Sequence, residues 1–342
     1  MSAIATPTAL TSGLAFLLAP TPAEAERRAQ VVGLTPLGGL SPSVPADAGS
    51  APWLPLNMPL LGSSELASQL WCLPGPVSAW QHSTDTGVHL HARVARDAQF
   101  LLAESRVDGP LATQARHLYT AVLGALRGSG HPHPIRFWNY LADIHGTEDG
   151  EERYRRFNQG RREAMQALGC AITEGAPAAC ALGNREGRLR VAVLSGAQAP
   201  RAIENPRQVS AYHYPAQYGR TPPVFSRAAL LPLPFGRDLL LISGTASIVG
   251  HQSLHEGDVQ AQTEEALRNI EALLAQACAG RPALSLSELS GRVYVRHPAD
   301  VPRVLDRLVA RGMTGFSVLQ AEVCRRELLV EIEAEGWVTH AG

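Results

Sequence analysis

In the stretch DVQAQTEEALRNIEALLAQACAG (residues 258–280), Ala266, Ile270, Leu273 and Leu274 recur at helical spacing and Gly280 stands just past the end. Asp258 precedes the first apolar residue, where a short acceptor side chain orders a helix start. The runs RDLLLISGTASI (237–248) before this helix and GRVYVRHP (291–298) after it are strand-like. DVPRVLDRLVARG (300–312) follows as a second helix, with Asp300 as N-cap and Pro302 soon after it. FSVLQAEVC (316–324) and ELLVEIEAEG (327–336) close as strands.

The same order stands upstream. GVHLHARVARD (87–97) and FLLAESRV (100–107) are strand-like. The helix PLATQARHLYTAVLGALRGSG (110–130) comes next, with Leu118, Val122, Leu123 and Leu126 on one face. IRFWNYLADI (135–144) follows as a strand and EERYRRFNQGRREAMQAL (151–168) as a charged amphipathic helix. The halves therefore look like diverged copies of one α+β unit, each a mixed β-sheet with two helices packed on one face. Gly and charge punctuation in CALGNREGRLR places the boundary near residue 185, giving units 51–185 and 186–342. RLRVAVLSG (188–196) then opens the second unit. Residues 1–50, rich in Ala, Pro, Ser and Gly, are expected to be irregular.

Composition narrows the function. The chain has 342 residues and a net charge of −1, so nucleic acid is not expected as a partner. All 30 basic residues are arginine, which excludes Schiff-base, pyridoxal-phosphate and P-loop lysines. A buried anion must be met by Arg, His or backbone amides. The five cysteines (Cys72, Cys170, Cys180, Cys278, Cys324) form no CxxC pair, which points to a reduced, cytoplasmic protein without a zinc framework. GLAFLLAPTPAEAE, near the N-terminus, has an apolar core with no basic residue before it; a cleaved signal peptide is not expected. No stretch approaches a membrane span of about 20 apolar residues.

GDVQAQTEEALRNIEALLAQA, then VYV and LLVEIEA, resemble the YjgF-like superfamily over about residues 236–335. The whole chain resembles the chorismatases more specifically, through four ordered blocks: RFWNYLADIHGTEDGEERYRRFNQGR (136–161), YHYPAQYGRTPPVFSRA (212–228), SGTASIVGHQSLHEGDVQAQT (243–263) and CRRELLVEIE (324–333). The resemblance implies an α+β fold of two YjgF-like units and an enzyme that cleaves chorismate and releases pyruvate. The other product would be 3-hydroxybenzoate, 4-hydroxybenzoate or both, or a dihydroxycyclohexadiene carboxylate formed by plain hydrolysis. It implies no cofactor and no metal, and the superfamily suggests a homotrimer.

Cleaving an enol ether without metal needs an acid protonated near pH 7, donors for two carboxylates and a cavity that controls water. Alternation along LLVEIE sends Leu329, Glu331 and Glu333 to one face and Leu328, Val330 and Ile332 to the other, without saying which is buried. The resemblance assigns the acid/base role to Glu331. It also makes Cys324 a position where a cysteine goes with hydroxybenzoate products, and Ala246 one tied to product choice. Either a small buried hydrophobe or a thiol that perturbs the water site or takes a ring proton would suit Cys324. Arg220 and Arg325 are the carboxylate candidates, with Arg326 in reserve. Tyr212, Tyr214 and Tyr218 precede Arg220 and suit a flat anionic ring. Gly244 and Thr245, with Ala246, would let the ring approach the backbone. Asn139 is a further candidate, while Trp138 and Tyr140 beside it are expected in the core.

Three rivals stand beside this reading. His251 and His255 have i, i+4 spacing, but HQSLH lacks the Glu of HExxH. SGTASIVG does not match the GxSxG turn of serine hydrolases. A non-catalytic ligand-binding protein on the same fold is the third, because fold does not dictate function.

Overall fold

The computed structural model describes residues 14–43, 51–62, 66–184, 187–234 and 236–340. Its frame is a pair of mixed sheets. The first orders its strands as Ala178–Asn184, His133–Ala142, Arg190–Gly196, Ala98–Ser105, Val88–Val94 and Ser78–Ser83. The second orders them as Leu60–Gly62, Gly315–Gln320, Ser290–Val295, Val330–Thr339, Arg237–Thr245, Ala228–Leu231 and Arg201–Ile203. Leu60–Gly62 aside, the two orders correspond strand for strand. In each, one parallel pair flanks the second helix, as a crossover connection requires, and all other pairs are antiparallel.

Among the described residues five α-helices accompany the strands: α1 (Pro22–Val31), α2 (Leu111–Gly128), α3 (Arg153–Ala167), α4 (Val259–Ala277) and α5 (Val301–Ala310). Asp258 caps α4, accepting from the backbone N–H groups of Gln260 and Ala261 at 3.0 Å each. Asp300 stands at the N-cap of α5 but makes no capping bond through its side chain. The apolar faces read from the sequence are the buried ones. Leu118, Val122 and Leu126 of α2 pack with Phe137, Val191 and Val193 of the first sheet. Ala266, Ile270 and Leu273 of α4 pack with Ile242, Val293 and Ile332 of the second. The sheets' other faces meet through Trp138, Tyr140, Leu194, Leu239, Leu241 and Tyr294. The layers therefore run helices, sheet, sheet, helices.

Two expectations are corrected. Arg190–Gly196 does not open the second unit: it pairs between His133–Ala142 and Ala98–Ser105 in the first sheet. The Gly and charge punctuation near residue 185 joins two strands of one sheet, and residues 185–186 themselves lie outside those described. Nor is the N-terminal segment irregular where it is described; residues 1–13 and 44–50 lie outside. Ala15–Ala19, Ser68–Leu73, Thr35–Ser41 and Trp53–Pro55 form a four-stranded sheet, and α1 buries Ala25 and Ala29 against it. Glycines that suggested looseness serve close packing instead. A Cβ on Gly38 would lie 2.2 Å from the Phe100 ring, and one on Gly39 2.4 Å from Trp53. Among the described residues no helix is long and apolar enough to cross a membrane.

Candidate active site

The final strand, Val330–Thr339, alternates as its sequence suggests. Val330, Ile332 and Ala334 enter the core against α4, while Glu331, Glu333 and Glu335 face the space between the sheets. All three carboxylates are buried, at 4%, 0% and 1% exposure. Burial disfavours a carboxylate, so what each one touches decides its charge.

Glu333 is fully paired. It accepts from Arg136 Nη2 across the sheet interface, from Arg292 Nε and from the Tyr294 hydroxyl. Burial opposes its charge, but the two guanidiniums and the phenol hold its carboxyl below the usual range. Arg292 also donates to Gln69 Oε1 at 2.7 Å and lies 3.5 Å from Glu335, whose carboxyl burial pushes up. Tyr140 and Tyr294 join hydroxyls at 3.2 Å, linking the sheets again.

Glu331 has no such partners. Burial and then the charge of Glu333 push its carboxyl up to about 8, only partly countered by Arg136 and Arg227. The carboxyl rests on Gly244, where a Cβ would stand 1.9 Å from Oε1. The pairing of Arg237–Thr245 with the final strand shifts register between Ile242 and Thr245, so Gly244 sits at this irregularity. Glycine is required here by the approach of the acid, not by its backbone angle.

Glu331 lines a cavity of about 710 Å³, whose walls come from both halves of the chain. Cys324, Arg325, Arg227 and Ala246 contribute from the second half, and His145, Tyr154 and Arg155 from the first. The Arg325 guanidinium lies 3.9 Å from the Tyr218 ring centroid and 5.1 Å from that of Tyr214. Arg325 Nη1 donates to the His251 carbonyl and to Ser253 Oγ, both at 3.0 Å. Arg227 lies over Phe225 and Tyr214, and its Nη2 donates to the Tyr214 hydroxyl at 2.7 Å and the Val209 carbonyl at 2.8 Å. Arg227 Nε and Arg325 Nη2 make no hydrogen bond. Burial and the nearby Glu331 push the Cys324 thiol up to about 12.

Of the residues expected at the site, Glu331, Cys324, Ala246, Gly244, Arg325 and Tyr218 meet in this cavity. Arg326 also lines it but is exposed, and its Nη2 donates to the His145 carbonyl. Four expected residues do not line it. Arg220 is exposed, because Gly219, at φ 132°, turns the chain outward after the short 3₁₀ turn Ala216–Tyr218. Arg227, seven residues later in the same block, points inward instead. Asn139 is wholly buried, donating to the Cys180 carbonyl at 2.7 Å and accepting from the Tyr119 hydroxyl, so it ties α2 to two strands. Tyr212 is buried against His213, and Thr245 donates to the Ser243 carbonyl at 2.8 Å on the far side of the strand. His251 and His255 do not act together: the first serves Tyr218 and Arg325, the second faces Glu265 at 3.5 Å.

Sequence reasoning missed Arg227, Tyr154 and Arg155 as site residues. All three stand within the blocks that carried the family resemblance, which was their one available signal. Tyr154 reaches the cavity from the first turn of α3, and burial pushes its phenol up.

The chain is similar in sequence and fold to known proteins. The family model described as chorismatase FkbO/Hyg5-like, N-terminal, matches residues 70–195. The chain is 35% identical over 282 residues to a chorismatase of Streptomyces rapamycinicus, covering 79% of this chain and 82% of that one. It is 35% identical over 255 residues to a 3-hydroxybenzoate synthase of Streptomyces hygroscopicus, covering 70% and 74%. A chorismatase crystal structure superposes with a TM-score of 0.77 at 29% identity, over 88% of this chain and 93% of that one. With 35% identity to a chorismatase over 79% of its length and a fold that superposes on a chorismatase structure, this chain belongs to the chorismatase family.

Proposed function

We propose that the protein converts chorismate to pyruvate and a hydroxybenzoate, with Glu331 as the acid. The supporting observation is a buried carboxyl that keeps its proton near neutral pH at the base of a cavity rich in arginine and tyrosine. Glu331 gives its proton to the enol-ether methylene, and positive charge develops on the ether carbon. The ionised Glu331 then faces that charge. Arg325 and Arg227, each held flat by aromatic rings, take the two substrate carboxylates.

The neighbouring ring hydroxyl adds to that cation and gives its proton to Glu331, forming a cyclic ketal. One of the two ring C–O bonds then breaks as the C–H proton on the adjacent oxygen-bearing ring carbon is lost, which makes the ring aromatic; Glu331 protonates the released oxygen and takes the ring proton. The aryl hemiketal so formed passes its hydroxyl proton to the phenol oxygen and falls apart to pyruvate and hydroxybenzoate. No water is consumed, so chorismate equals pyruvate plus hydroxybenzoate, atom for atom. Attack by water on the same cation gives pyruvate and the dihydroxycyclohexadiene carboxylate instead. Cys324 favours the first course as a neutral thiol in the wall; at about 12 it yields too little thiolate to serve as the base.

Purified protein mixed with chorismate tests this, with pyruvate assayed and the ring products separated by chromatography. Pyruvate and hydroxybenzoate in equal amounts are expected. Pyruvate release no faster than the uncatalysed rate rejects the enzyme reading. Cys324→Ala is expected to raise the diol share; an unchanged ratio removes the thiol from product control.

A further inference from the structure

Cys324 and Arg325 lie on the nine-residue connection 321–329, between the strands Gly315–Gln320 and Val330–Thr339. Backbone pairing holds only its ends, Glu322 to Gly183 and Leu329 to Arg296, yet the stretch between must hold a wall of the cavity to within a fraction of an ångström. Its backbone groups are met by two side chains outside the cavity lining. Arg296, just past Ser290–Val295, donates from Nε to the Leu328 carbonyl at 3.0 Å. Its Nη2 reaches the Arg325 carbonyl at 2.9 Å and the Val323 carbonyl at 3.5 Å, and its Nη1 pairs with the Glu322 carboxylate. The same Nη2 lies 3.3 Å from His145 Nε2, so the first half of the chain braces the guanidinium as well. From the other side, Gln262 of α4, wholly buried, donates to the Glu327 carbonyl at 2.8 Å and accepts from the Leu329 N–H at 2.7 Å.

We propose that Arg296 is a positioning residue that sets the partition between aromatic product and diol, by gripping the carbonyls on either side of Cys324 and so holding its thiol against the reacting cation. This rests on the chorismatase reading above and extends it to a residue that does not touch substrate. A planar fork spanning three carbonyls and a carboxylate cannot be copied by a shorter neutral side chain, and lysine offers only one nitrogen. Loosening the grip lets the thiol withdraw and admits water beside the cation. The chemical step itself, which depends on Glu331, is less affected.

The test compares wild type with Arg296→Gln, Arg296→Lys and Gln262→Ala, after circular dichroism and thermal melting have shown which variants are folded. Each is given chorismate, and the ratio of hydroxybenzoate to diol is read beside the pyruvate rate. In parallel, alkylation of Cys324 by iodoacetamide is followed by peptide mass mapping, with Cys170 as internal reference. The expected result is a several-fold rise in diol share for Arg296→Gln and a smaller one for Arg296→Lys. Pyruvate release stays within roughly tenfold of wild type, and Cys324 alkylates several-fold faster. Folded Arg296 variants that keep the wild-type product ratio overturn the proposal. If Arg296 cannot be replaced without unfolding, an unchanged ratio in Gln262→Ala overturns it in the same way. If wild type releases no pyruvate, the chorismatase reading fails separately. Alkylation then decides the grip alone, and unchanged Cys324 reactivity in folded variants refutes it.

Discussion

The closing strands of the two units, Arg190–Gly196 and Val330–Thr339, hold the same place in two sheets of the same order. Towards the sheet interface the first presents Ala192 and Leu194; the second presents Glu331, Glu333 and Glu335. The first half uses the position for packing, and the second buries three carboxylates there. Within the second, two carboxylates one pleat apart are driven in opposite directions. Glu333, met by two arginines and a phenol, stays ionised, while Glu331, with no such partner and beside that charge, keeps its proton. The acid is thus made by what its neighbour collects.

The contrast can be broken most sharply at Glu331. Glu331→Gln keeps the shape and removes the proton donor, so kcat for pyruvate release should fall on the order of 10³- to 10⁴-fold while the melting curve stays cooperative. A near-wild-type rate would take Glu331 out of the mechanism. Glu333→Gln should act mainly on stability, because it leaves Arg136 and Arg292 buried and underpaired. A loss of about 3–5 kcal/mol is expected in urea unfolding, and a loss below 1 would show that the network contributes little.

The pH dependence of stability sharpens the same contrast. Glu331 holds its proton up to about 8 when folded, against 4.5 for an ordinary glutamate. Between these values the folded state binds more protons than the unfolded state, so this group lowers stability as pH rises, and the loss is complete above about 8. Glu331→Gln lacks that slope. Its stability relative to wild type should therefore grow from pH 5 to pH 8, by roughly 3–4 kcal/mol, in paired denaturant titrations. A constant difference would mean that the carboxyl is not shifted. The smallest effect is expected at Arg220, where replacement by alanine should change KM less than about twofold, as for other exposed side chains. Arg227→Ala should raise KM on the order of tenfold or more. Equal effects at the two positions would restore the loop arginine to the site.

What was legible in the sequence follows local physics. The α2 and α4 faces, the Asp258 cap and the alternation of the last strand depend on spacing alone, and each stands where spacing put it. The burial of Glu331 could be expected because family likeness supplied what alternation could not, namely which face is buried. Arg220 and Arg227 could not be told apart, since their directions depend on one glycine in the left-handed half of φ and two short 3₁₀ turns. Asn139 looked like a site residue because a buried amide leaves no periodic mark; only its partners Tyr119 and Cys180 show that it is structural. The Arg136–Glu333 pair was invisible for a different reason. Its members stand 197 positions apart, and each alone reads as an ordinary charge in a strand.

That pair has a consequence for how such a molecule could arise. In a symmetric assembly of identical subunits every interface residue is present in every copy, so a buried Arg–Glu bond must repeat or be absent. A covalently joined duplicate is free of that rule. In the first half the strand matching Val330–Thr339 carries Ala192 and Leu194 in place of the glutamates, so the bond from Arg136 to Glu333 has no mirror-related twin. Tandem fusion, by letting each copy drift alone, makes room for a single acid where symmetry would have demanded several.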